Sequence, residues 1–195
     1  MSDADAFERA ILDTPDDVNA YAAYADCLQD RDDPRGAFGA VQLALEDSSR
    51  PADDRRALRE QEARLLSEHE REWLGDLAPH LLDQDGTRPR VEHWWARGFL
   101  TEVRAEALTF AFAQALAAAP AARTLRALRV EGGLHPAYRG DAPPRAPRPP
   151  GEMAPEPLFE LLGSPCLANL RSFQMGDADP DSDDGFTLAR HATGS

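Results

Sequence analysis

The stretch LTEVRA at residues 100–105 decides how the second half of the chain folds, because its pattern occurs three times. LRALRV at residues 125–130 starts 25 positions later, and LRSFQM at residues 170–175 starts 45 positions after that. Each copy has apolar residues at its first, fourth and sixth positions. Such alternation predicts a short strand with one face toward a core. Because 45 equals 25 plus 20, we expect about 20 inserted residues between the second and third copies.

The insertion falls at residues 135–155, whose sequence is HPAYRGDAPPRAPRPPGEMAP. So many prolines exclude a regular helix or strand, and we expect an exposed loop. One interpretation is a plain insertion without a role. The alternative is a ligand for a partner domain, because Pro144, Pro147 and Pro150 can present a polyproline II face.

The residues before the strands repeat as well. Pro120 and Pro165 each lie five positions before the leucine that opens a strand, and an apolar helical segment precedes each proline. This order of helix, proline-marked turn and strand resembles the leucine-rich repeat. The resemblance implies an α/β solenoid of about three leucine-rich-repeat-like units. The predicted fold class is therefore mainly α with short parallel strands, following an N-terminal helical module.

Helices account for the first part of the chain, as apolar spacing and capping residues predict. The expected helices are one that stops at Thr14-Pro15, a second capped by Asp16 or Asp17, a third opened by Pro34, and a fourth from about Ala52 to Leu77.

Residues 14–45, TPDDVNAYAAYADCLQDRDDPRGAFGAVQLAL, resemble the bacterial repeat-companion domain. The matching positions are Pro15-Asp16-Asp17, Tyr24-Ala25-Asp26, Leu28, Asp33-Pro34-Arg35, Phe38 and Gln42. Cys27 and Gly39 depart from the family, which usually has tryptophan and isoleucine there, and both are expected to loosen the core. The resemblance implies a helical module beside repeats, with no catalytic residue. We therefore expect a helical repeat-companion domain at 1–50, a long charged helix and connector at 51–90, and a leucine-rich-repeat-like array at 91–195.

Two segments are expected at the ends of this array. His93-Trp94-Trp95 is interpreted as a cover for the first repeat, with an aromatic binding platform as the alternative. Phe186 and Leu188 are interpreted as the start of another repeat helix. The acidic run from Asp177 to Gly185 resembles a calcium loop in composition, but Leu188 occupies the twelfth position, where such loops need glutamate.

Charge and cysteine usage narrow the classes of partner. The chain has 35 acidic and 21 basic residues, a formal net charge of −14, and every basic residue is arginine. A field of this sign opposes binding to nucleic acid. The two cysteines lie far apart, which is typical of reduced thiols in the cytosol. The N-terminal residues lack signal-peptide features, and no apolar run is long enough to span a membrane, so a cytoplasmic monomer is expected.

Catalytic and cofactor motifs are missing from the sequence. His69-Glu70 is not followed by a second histidine at the zinc-protease spacing, because Trp73 stands there. Neither cysteine has a metal-ligand neighbour, and without lysine there is no phosphate-loop lysine or Schiff base. We therefore expect no enzyme, no cofactor and no metal.

The remaining prediction is a non-catalytic protein-interaction or scaffold module, with an unidentified protein as its partner. In the predicted register, the residues that alternate with the core positions form a concave binding face. They are Glu102, Arg104 and Glu106 in the first strand segment, Arg129 and Glu131 in the second, and Gln174 in the third. The alternative is an acidic inhibitor or immunity-type protein that binds a basic effector.

Overall fold

The computed structural model describes residues 3–83, 90–131, 161, 163–176 and 186–189. Within these ranges the elements are α1 (Asp3–Asp13), α2 (Val18–Gln29), α3 (Pro34–Glu46), α4 (Ala52–Leu74), α5 (Ala78–Leu81), β1 (Val91–Ala96), β2 (Phe99–Ala105), α6 (Phe110–Ala118), β3 (Ala127–Val130), β4 (Ser172–Met175) and β5 (Phe186–Ala189). The chain divides into two units, one of residues 1–73 and 95–100, the other of residues 74–94 and 101–195. The domain boundaries expected from the resemblances stay predictions.

Aspartate caps set the starts of α2 and α3; the cap of α2 is predicted from the sequence, whereas for α3 only the opening proline is. The Asp17 carboxylate accepts a hydrogen bond from the Asn19 N–H at 3.0 Å, and the Asp33 carboxylate accepts one from the Arg35 N–H at 2.9 Å. Each bond satisfies an N–H that has no partner inside the helix. Pro34 opens α3 at a position where its missing N–H costs nothing.

The predicted end is confirmed for α1 and differs for α4. α1 ends at Asp13, just before the predicted stop at Thr14-Pro15. α4 starts at Ala52 as predicted but ends at Leu74, three residues before the predicted end at Leu77. Gly75 has a φ of 52°, which interrupts the helix, and Gly75–Leu77 forms a separate 3-10 turn.

Helices α2 and α3 approach each other closely at Gly36. A Cβ atom there would lie 2.6 Å from the Ala25 carbonyl oxygen and 2.6 Å from the Gln29 nitrogen. Glycine is therefore required where the two backbones meet. The apolar cluster of this unit contains Ile11, Tyr21, Tyr24, Leu28 and Phe99.

We predict that Gly36→Ala lowers the free energy of unfolding by about 1–3 kcal/mol, because the new methyl group meets backbone atoms that cannot yield without separating the helices. Chemical denaturation followed by circular dichroism measures this change. Gly39→Ala is the matched control on the same helix, since a Cβ there makes only ordinary contacts, the nearest at 3.5 Å to the Arg97 oxygen. Equal stabilities of the two variants would contradict the close approach at Gly36.

A mixed sheet of strand order β1-β2-β3-β4-β5 follows the first helices. β2, β3 and β4 pair in parallel, and Val103 is aligned with Leu128 and Leu128 with Phe173. This alignment is the register that the recurring apolar pattern predicts. The fold class is therefore mixed α/β. The short parallel strands predicted from the sequence are confirmed.

The turns that lead into β3 and β4 are built alike. Pro120 and Pro165 each open a 3-10 turn, which covers Pro120–Thr124 in one case and Pro165–Leu167 in the other. The Leu125 N–H then bonds to the Ala122 oxygen at 3.0 Å, and the Leu170 N–H bonds to the Leu167 oxygen at 3.0 Å. The prediction of equivalent prolines before the two strands is confirmed.

The last described segment corrects one expectation. Phe186–Ala189 is a strand antiparallel to β4, with Leu188 aligned with Phe173, and not the start of a repeat helix. The alternation of apolar and polar residues in Phe-Thr-Leu-Ala suits a strand, because its period is two. The proline-rich stretch 135–155 and the acidic run 177–185 lie outside the described residues.

No helix in the described ranges combines the length and the apolar character that crossing a bilayer requires.

Candidate functional site

Side chains of the parallel strands alternate between a core and a polar face. Val103 and Ala105 are 0 % exposed, and Leu128 is 1 % exposed. Their neighbours Arg104 and Arg129 lie on the opposite face and are partly exposed. The predicted assignment of residues to the core and to the polar face therefore agrees with the burial along β2 and β3.

The pairing brings three of the predicted residues into one row. Arg104 is the register partner of Arg129, and Arg129 is the register partner of Gln174. Neighbouring strands lie about 4.8 Å apart, so the three residues occupy adjacent positions across the sheet. Glu102 lies two residues before Arg104 on β2, in the row that Ala127 continues.

Glu106 and Glu131 follow the ends of β2 and β3. The Glu131 N–H donates to the Ala105 oxygen at 2.9 Å, which extends the ladder of β2 and β3 by one bond. The Glu106 N–H donates to the Arg90 oxygen at 2.8 Å, and the Glu106 carboxylate accepts from the Arg90 N–H at 3.1 Å. Glu106 and Glu131 therefore both lie at the edge of the sheet where β2 and β3 end.

A cleft of about 340 Å³ lies at this edge, lined by Arg90, Glu92, Arg104, Glu106 and Glu131. Its lining residues form two ion pairs, Arg90 with Glu92 at 2.6 Å and Arg104 with Glu131 at 3.3 Å. The side chain of Arg90 is 74 % exposed and that of Glu131 is 47 % exposed. The exposed pair of Arg90 and Glu92 contributes little to stability.

The Nε atoms of Arg104 and Arg129 are buried and have no hydrogen-bond partner among the described residues. The Arg104 Nε lies near the Glu131 carboxylate but does not form a hydrogen bond with it. A buried donor without an acceptor lowers stability, so arginine is not the most stable choice at these positions. Within the described residues, the Nε atom of Arg55 in α4 is buried without a hydrogen-bond partner in the same way.

Arg90 and Glu92 complete the cleft, although the sequence pattern did not select them. Arg90 directly precedes β1 and Glu92 is its second residue. From the sequence, the central residues of this strand are interpreted as a cover for the first repeat or as an aromatic binding platform. The missed signal is Arg97-Gly98 between two apolar and aromatic runs, because a residue followed by glycine is typical of a two-residue hairpin turn. β1 is an outermost strand of the sheet and lies beside β2.

Within the described residues, no three histidine, cysteine, aspartate or glutamate side chains are grouped closely enough to hold a metal ion. Cys27 and Cys166 are free thiols. What the face offers chemically is therefore charge and hydrogen bonding, supplied by arginine and glutamate.

Comparison with known proteins finds no matching family model, no matching curated protein and no matching solved structure.

We predict that Arg129→Met leaves the free energy of unfolding unchanged or raises it by up to about 1 kcal/mol, because it removes a buried donor without an acceptor and keeps a side chain of similar length. Urea denaturation measures the effect. Leu128→Ala is the neighbouring control, and it should cost about 2–5 kcal/mol because Leu128 belongs to the core. A loss above about 1 kcal/mol in Arg129→Met would show that the arginine has a structural role.

Proposed function

We propose that this chain is a non-catalytic protein-binding module that uses the polar face of β2, β3 and β4, together with the cleft beside β1, to bind a protein partner. In this proposal the second half is a short α/β solenoid of about three leucine-rich-repeat-like units. The first half is a helical module of the repeat-companion type.

Recurring main-chain bonds support the repeat assignment. The Arg126 N–H donates to the Thr101 oxygen at 2.8 Å, and the Arg171 N–H donates to the Arg126 oxygen at 2.9 Å. Positions 101, 126 and 171 therefore use the same bond at the intervals of 25 and 45 that separate the strands. A recurring bond at recurring positions is what stacked repeat units require.

The row Arg104, Arg129 and Gln174 is the observation that carries the proposal. Its members are hydrogen-bond donors, and two of them are cations that lie side by side on a partly exposed surface. Arginine in such a row suits carboxylates, which accept two parallel bonds from one guanidinium group. At the sheet edge Glu106 and Glu131 offer the opposite charge, so the face fits a protein surface of mixed sign.

A second candidate is an acidic inhibitor that neutralises a basic effector, and the net charge of −14 favours it. In that case attraction arises from the whole chain and not from the arginine row. Binding would then fall steeply as salt is added.

We predict that the double variant Arg104→Glu, Arg129→Glu loses the partner that the wild-type chain retains in affinity purification from its native host, with at least about a tenfold drop in recovery. Quantitative mass spectrometry measures the recovery. The matched control is Arg50→Glu, Arg56→Glu, which changes the net charge equally at exposed positions in the other unit, where both arginines pair only locally with Asp47 and Asp53.

The two candidates differ in what the variants do. Retention of the partner by the control and loss by the strand variant supports the face. Equal or stronger recovery by both variants, with binding that weakens steeply in salt, contradicts the face and favours the acidic inhibitor, because each variant adds negative charge.

A further inference from the structure

The turn between β1 and β2 lies against a helix within the first unit. Arg97 has φ 55° and Gly98 has φ 86°, the left-handed pair that a two-residue hairpin turn requires. A Cβ atom on Gly98 would lie 3.2 Å from the Cα of Gly39, and one on Gly39 would lie 3.5 Å from the Arg97 oxygen. The main chain of the turn therefore rests on the main chain of α3.

The side chain of Gln42 forms hydrogen bonds with the main chain of this turn. Its amide oxygen accepts a hydrogen bond from the Gly98 N–H at 2.8 Å, and its amide nitrogen donates to the Trp95 oxygen at 3.2 Å. The same nitrogen donates to the Glu62 carboxylate at 2.8 Å, which fixes the orientation of the amide. Gln42 is 8 % exposed, so these bonds form away from bulk water.

Arg35 and the aromatic residues of α2 hold the residue after the turn. The Arg35 Nε donates to the Gly98 oxygen at 3.2 Å, and its guanidinium carbon lies 5.1 Å from the centroid of the Phe99 ring. Tyr24 also stacks on Phe99, with ring centroids 5.2 Å apart. Phe99 is 3 % exposed, so it is enclosed by the helices.

Arg97 is held at the end of the same face of α3. Its Nε and Nη2 atoms lie 2.6 and 2.9 Å from the two carboxylate oxygens of Glu46. Its guanidinium carbon lies 5.2 Å from the Tyr21 ring centroid. The hydrogen bonds with Glu46 raise the pKa of Arg97 above its ordinary value.

Trp95 enters a second aromatic group before the turn. Its ring lies 5.7 Å from Phe38 and 6.0 Å from Trp73, between ring centroids. Its indole N–H donates to the Glu70 carboxylate at 2.7 Å. Helices α3 and α4 thus recognise the residue on the β1 side of the turn.

We infer that the helical half contains a binding site for a peptide β-turn of the type Trp-Ala-Arg-Gly-Phe, and that residues 95–99 of the chain occupy it. In this site Gln42 and Arg35 form hydrogen bonds with three main-chain atoms of the turn, the Trp95 oxygen and the Gly98 nitrogen and oxygen. The rings of Trp95 and Phe99, which flank the turn, pack against aromatic residues of the helices. Four residues of the pattern that resembles the repeat-companion domain, Tyr24, Arg35, Phe38 and Gln42, make these contacts. The inference does not depend on the proposed function of the strand face.

Amide hydrogen exchange in the full-length chain tests the main-chain contact directly. We expect the Gly98 amide to be protected in the wild type and to exchange about five to ten times faster in Gln42→Ala, because its acceptor is lost. Gln29→Ala is the matched control, since Gln29 is exposed and its side chain bonds only within its own helix, to the Ala25 oxygen. Equal exchange at Gly98 in the wild type and in Gln42→Ala would overturn the inference.

Competition in trans tests whether the site binds a turn as a ligand. The probe is a fluorescent peptide of residues 91–102, and the receptor is the full-length chain with Arg97→Glu and Gly98→Ala. These changes weaken the internal turn, because one opposes Glu46 and the other strains a left-handed position and crowds Gly39. We expect the peptide to bind this variant at least about tenfold more tightly than the wild type, whose tethered turn competes at high effective concentration.

Adding Gln42→Ala to the receptor should abolish that binding. Equal binding to the wild type and to the weakened variant would overturn the inference, as would absence of binding to a variant whose helical circular dichroism is intact. If the weakened variant loses its helices, the inference is tested by comparing the Gly98 amide exchange rate in the wild type with that in Gln42→Ala.

Discussion

The side-chain amide of Gln42 holds the point at which the chain leaves β1 and enters β2. It is buried and makes bonds to Gly98, Trp95 and Glu62, so its oxygen and nitrogen are both used. A buried amide without these partners would be costly, which makes the contact specific as well as stabilising. Because β2 begins at the residue after Gly98, the amide holds the main chain directly before the first residue of that strand.

Features that depend on local chemistry could be predicted from the sequence. Aspartate before α2 and α3, and proline at the two 3-10 turns, act within a few residues of their own positions. The strand register was also accessible, because a buried face forces a period of two and a shift by one residue would place Val103 in the polar face. Each of these signals lies within a short stretch of sequence, so it can be recognised without knowledge of the fold.

Features that depend on distant contacts could not be predicted. From the sequence, Gly39 is interpreted only as a lost core side chain, and its contact with the turn at Arg97 and Gly98, about sixty positions away, becomes visible only in the fold. Arg90 joins the cleft for a similar reason, since its place depends on the β1 hairpin and not on the recurring pattern. The Nε atoms of Arg104 and Arg129 lack acceptors because of how the surrounding side chains pack, and this packing cannot be deduced from the sequence pattern.

The turn-binding contacts also bear on where an external partner can bind. Tyr24, Phe38 and Gln42 are buried and are already engaged with the chain's own turn, so they offer no surface to another protein. The polar face of the strands differs, because Arg104 and Arg129 remain partly exposed and keep donors whose internal partners are incomplete. Under the proposed function, an external partner is therefore expected to contact the exposed parts of Arg104 and Arg129 on β2 and β3, and not the buried residues that hold the turn.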